Sequence, residues 1–85
     1  MYRYDPDLLP ALAELGIAPR PETPPEKVKE AVGDLYRYEL RRLRDRLVRK
    51  EIPKTGYSER VIELRRRYWM LSVPLHRWAE RGSTR

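Results

Sequence analysis

Cysteine and phenylalanine are absent from this 85-residue chain, and neither asparagine nor glutamine occurs anywhere along it. Without cysteine there is no disulfide framework and no thiolate metal site, so packing alone must hold the fold. A single histidine, His76, with no neighbouring set of ligands, gives a metal too few partners, and no metal or other cofactor is expected. The missing thermolabile side chains, beside a charged fraction of 38%, match the habits of a protein from a heat-loving prokaryote. No apolar run approaches the roughly 18 residues of a membrane span. The N-terminus lacks the basic start, apolar stretch and small-residue cleavage site of a secretory signal, so a cytoplasmic location is expected.

What remains is helical. A chain of this length holds one domain and buries only about 60% of its unfolded surface, so its apolar residues must be placed economically. Leu8, Leu12 and Leu15 share one face, with Asp7 before them, Pro10 in the first turn and Gly16 after them, which predicts a helix over about 8–15. Four prolines make 17–25 a stiff connector. Thr23, Pro24 and Glu26 then read as a capping box opening a long helix over about 24–51. Its apolar face runs through Val28, Val32, Leu35, Tyr36, Leu40, Leu43 and Leu47. Pro53, Gly56 and Ser58 predict a turn over 52–58, which makes the flanking helices antiparallel neighbours.

The last helix is expected over about 59–81, with Gly82 ending it and a frayed tail to Arg85. Val61, Leu64, Tyr68, Leu71, Leu75 and Trp78 hold a 3-4 spacing straight across Pro74, which reads as one helix kinked there. The expected fold is therefore all-α: a short N-terminal helix on a long antiparallel hairpin.

Two surfaces stand out as candidates for function. Ile62, Trp69 and Val73 lie about 100° round the last helix from its main seam, and with Trp78 they form a candidate interface. One neighbour cannot cover both faces, so either the short N-terminal helix folds over the second or another copy does, and a homodimer built as a helical bundle is the expectation favoured here. The second surface is electrostatic. Of 19 basic and 13 acidic residues, twelve basic and five acidic fall within 37–67, which antiparallel packing gathers at one pole. Arg41, Arg42, Arg44, Arg49, Arg65, Arg66 and Arg67 are its candidate phosphate contacts, with Tyr38 and Tyr57 nearby for stacking. The same arginines surround their helices and form i,i+4 pairs such as Arg41 with Asp45, as an ordinary solvated surface does.

Two partial likenesses carry no function over. Leu35-Tyr36-Arg37 is similar to the tripeptide of the LYR-motif adaptors, but it sits mid-helix and that family's later Phe is missing. Tyr57-Ser58-Glu59-Arg60 loosely resembles the stretch opening the second helix of the all-helical chorismate mutases, but the glutamine commonly used there is absent. No phosphate-binding glycine loop, nucleophile elbow or Glu-x-x-His pair occurs. The leading expectation is a non-enzymatic module for protein interaction or self-association. RNA or DNA binding through the basic pole is the alternative, and a small helical enzyme with an arginine-lined anion pocket is a remote third.

Overall fold

A computed structural model describes residues 1–81. The chain is mostly helical, with three α-helices and a two-stranded sheet. Strand β1 (Tyr2–Tyr4) leads into α1 (Leu8–Glu14), a proline-rich connector, α2 (Pro25–Val48) and α3 (Lys54–Arg67). Two 3-10 turns, Trp69–Ser72 and Leu75–Arg77, then lead to β2 (Ala79–Arg81). β2 returns antiparallel to β1, with Tyr2 opposite Arg81 and Arg3 opposite Glu80.

Helices α1 and α2 end in the same way. At α1, Gly16 takes φ 80°, Gly16 N–H donates to the Ala13 carbonyl and Ile17 N–H donates to that of Leu12. At α2, Lys50 takes φ 63°, while Lys50 and Glu51 N–H donate to the Leu47 and Arg46 carbonyls. Both are Schellman caps, whose left-handed residue is ordinarily glycine. In the second, a charged contact between Arg46 and Glu51, 3.6 Å apart, stands where an apolar one is usual.

Several sequence expectations need correction. Neither Asp7 nor Thr23 caps a helix with its side chain. Asp5 Oδ1 instead accepts from Asp7 N–H, and Thr23 Oγ1 accepts from Arg20 N–H, so both oxygens serve the connecting turns. The link between α2 and α3 is shorter and earlier than 52–58. Pro53, in extended backbone, precedes a helix that already includes Gly56 and Ser58, and the positive φ falls on Lys50.

The largest correction concerns Pro74. Proline disfavours helical backbone at the residue before it, and Val73 is extended at φ −83°, ψ 128°. In place of the expected kinked helix, α3 already ends at Arg67, with Tyr68 at φ −102°, ψ 31°, and the remainder becomes 3-10 turns and a strand, so the fold is helical with a small sheet added. Gly82 and the tail lie outside the described residues.

That break lets the C-terminal segment fold back into the core. Tyr4, Leu8, Leu12, Val28, Val32, Tyr68, Met70 and Trp78 form one buried cluster, with Trp78 fully enclosed. The Trp78 indole N–H donates to the Val73 carbonyl at 3.0 Å. Lys29 Nζ donates to the same oxygen at 3.0 Å and lies 5.8 Å from the Trp78 ring centre. The Tyr4 hydroxyl donates to the Thr23 carbonyl at 2.6 Å, tying β1 to the connector. Burial, then the neighbouring Tyr2 and Glu26, raises the Tyr4 pKa above the ordinary phenol value.

Beyond this head, the second half of α2 and all of α3 extend as a two-helix arm. The molecule measures 58 × 18 × 16 Å, with a radius of gyration of 15.6 Å against about 12 Å for a compact chain of this length. Among the described residues no helix is long and apolar enough to cross a membrane.

Candidate functional site

The arm is two helices thick and nothing more. Leu43 of α2 is buried, but Leu40 and Leu47 of α2 and Val61 and Leu64 of α3 are only half-buried, and α3 contributes no buried residue at all. A helix of 14 residues normally hides its apolar stripe against the core; this one has a single neighbour. Elsewhere in the arm, only Ile52 near the turn is buried as Leu43 is.

One side of the arm is a charged groove of about 380 Å³. Positions 39, 42 and 46 of α2 and 60, 63 and 67 of α3 face it, because residues three and four apart lie above one another on a helix. They supply Arg42, Arg46, Arg60 and Arg67 with Glu39 and Glu63. Glu39 closes the groove at its head-side end: it accepts from the Tyr68 hydroxyl and stands 3.9 Å from Arg67. Burial, followed by the hydrogen bond to Glu39, raises the Tyr68 pKa well above the ordinary phenol value. A neutral Tyr68 thus clamps the head to the base of the arm. Arg42 lies over the Tyr38 ring, 5.8 Å from its centre.

The expected phosphate contacts do not gather in this groove. Arg42 and Arg67 line it, whereas Arg41, Arg44, Arg65 and Arg66 are exposed on other faces of the arm. Arg49 pairs with Glu51 at 2.9 Å. Arg46 and Arg60 were not singled out from sequence, although their spacing from Arg42, Glu39, Glu63 and Arg67 carried the signal.

A more aromatic surface lies where the arm joins the head, and because α3 stops at Arg67, Ile62 no longer shares one helical face with Trp69 and Val73 as the sequence led one to expect. The Tyr36 and Tyr68 rings meet at 5.1 Å with a tilt of 50°, beside Trp69 and Leu71. Trp69 is 42% exposed and Ile62 49%, so both are available at the surface. Val73 is half-buried, its carbonyl occupied by Lys29 and Trp78. Trp78, expected with these at an interface, is enclosed in the chain's own core and has no surface to offer.

His76 is exposed, and among the described residues no group of three metal-ligating side chains occurs. Gly33, which interrupts α2, is covered by its own helix: an added Cβ would meet the Arg37 guanidinium at 3.4 Å. No known protein family, characterised protein or solved structure matches the chain.

Proposed function

We propose that this protein is a non-enzymatic self-association module, in which a second copy covers the exposed side chains of Ile62 and Trp69 and the surface near them. The observation that carries this reading is the absence of any buried residue in α3. The surface area points the same way: 6571 Å² is accessible, against roughly 5400 Å² for a compact chain of this mass. Trp69 is the natural anchor, since a large half-exposed aromatic gains most from a partner. Sedimentation equilibrium tests the reading. The wild-type chain is expected to be dimeric and Trp69→Asp monomeric; a monomeric wild type, or a fully dimeric Trp69→Asp, rejects it.

A second reading, contact with nucleic-acid phosphates, is favoured by the excess of seven basic charges across 37–67. Arg41, Arg44, Arg65 and Arg66 make no ion pair among the described residues. An RNA or DNA titration at two salt concentrations separates it from simple surface charge: affinity must fall steeply as salt rises. The charged groove between α2 and α3 supports a third, small-anion reading, for which displacement of bound phosphate by Arg60→Ala is the test.

A further inference from the structure

We infer that the second copy docks antiparallel along α2, the two helices crossing near Tyr36 so that the acidic half of each meets the basic half of the other. This rests on the self-association reading and adds a register to it.

One outward stripe of α2 carries the pattern. Glu26, Glu30 and Asp34 are followed by Arg37, Arg41 and Arg44, all exposed. By the 3.6-residue period these six positions fall within about 80° of one another. The sign of the charge reverses once, midway. A two-fold axis between positions 35 and 36 therefore sets Glu30 opposite Arg41 of the other copy and Asp34 opposite Arg37, with Arg44 one residue, about 1.5 Å of rise, from the position facing Glu26. Such a patch is self-complementary, as an interface between identical subunits must be. A parallel arrangement would oppose like charges throughout.

Within one chain the same pattern is unfavourable. Glu26 with Glu30, Glu30 with Asp34, and Arg37 with Arg41 are like charges four residues apart, each costing a few tenths of a kcal/mol in an isolated helix. Asp34 and Arg37 at the centre form the stripe's one ion pair, and the four outer residues form none among the described residues. A partner running the other way converts these repulsions into attractions.

The centre of the stripe also has an apolar anchor beside it. Leu71 and Leu75 lie along Gly33 and Arg37, and Trp69 and Leu71 lie beside Tyr36. The crossing point thus has the charged pair Asp34 and Arg37 at its centre, with the half-buried Leu71 and Leu75 beside it adding apolar area to the contact.

The test uses two full-length variants, Glu26→Lys with Glu30→Lys, and Arg41→Glu with Arg44→Glu. Each alone opposes like charges across the axis, so its dimer dissociation constant should rise about tenfold or more in sedimentation equilibrium. Mixed in equal amounts, the two variants present opposite charges at all four outer positions and should recover a dimer. Circular dichroism of each variant confirms that these exposed substitutions leave the helices formed. Dimers as tight as wild type for either variant alone, or a mixture with no heterodimer, overturn the register while leaving self-association standing. A monomeric wild type removes both.

Discussion

The head and the arm share one helix, yet they are stabilised differently. In the head, the first half of α2 lays Val28 and Val32 against α1, β1 and the C-terminal turns, and eight side chains share one core. In the arm, the second half of the same helix packs along α3, and only Leu43 and Ile52 are buried, neither completely. The difference is one of layers: the head has elements on several sides of α2, whereas the arm has one. An apolar stripe is worth what its neighbours cover, at roughly 25 cal/mol per Å². The arm is therefore the part with most to gain from another chain.

The strongest way to break this comparison is to empty each region in turn. Trp78→Ala opens a large cavity in the head and should cost about 3–5 kcal/mol in urea unfolding. Leu64→Ala in the arm should cost only about 1 kcal/mol at low protein concentration, because the side chain is half-exposed already. Equal losses would mean that the arm is as well packed as the head.

Tyr68 joins the two regions, and its hydroxyl gives the next effect. Tyr68→Phe removes a hydrogen bond to an ionised carboxylate and should cost about 1–2 kcal/mol. Because the folded state raises the Tyr68 pKa, the unfolded chain loses its proton first, so wild-type stability should fall as pH rises above about 10. Tyr68→Phe should show a shallower fall over that range. Identical slopes would show that the clamp contributes nothing.

Two backbone substitutions should act in the stabilising direction. Gly33→Ala replaces a poor helix former and displaces only the flexible tip of Arg37, for a gain of up to about 1 kcal/mol. Lys50→Gly relieves the left-handed conformation that closes α2 and should gain about 0.5 kcal/mol. Thermal melts of both variants check these signs. A loss at Gly33 would mean that something besides Arg37 approaches it.

Much of the helical frame was legible in the sequence, because the apolar spacing of α1 and α2 is tied to residues that face a real neighbour. Gly16 stopped α1 where expected. The segment after Arg67 was not legible by the same rule: Leu71, Leu75 and Trp78 keep helical spacing although the chain there turns back on itself. Periodicity records which residues are apolar, and 3-10 turns that feed one core can satisfy it as well as a helix. The local rule at Pro74, which forces Val73 out of helical backbone, held against the seam. The strands at 2–4 and 79–81 are too short for an alternating pattern to be distinctive. At the candidate surfaces, counting arginines found the basic arm but not which of them face the groove, since a count carries no direction round the helix; the spacing of 39, 42 and 46 and of 60, 63 and 67 held that information.

The most direct measurement is amide hydrogen exchange at two protein concentrations, one low and one well above the expected dimer dissociation constant. Protection should rise with concentration in α3 and along α2, because a second copy covers them, while β1 and α1, which the proposed contact does not use, should exchange alike at both. Protection of the arm that is the same at both concentrations, with the wild-type chain sedimenting as a monomer throughout, would contradict the account.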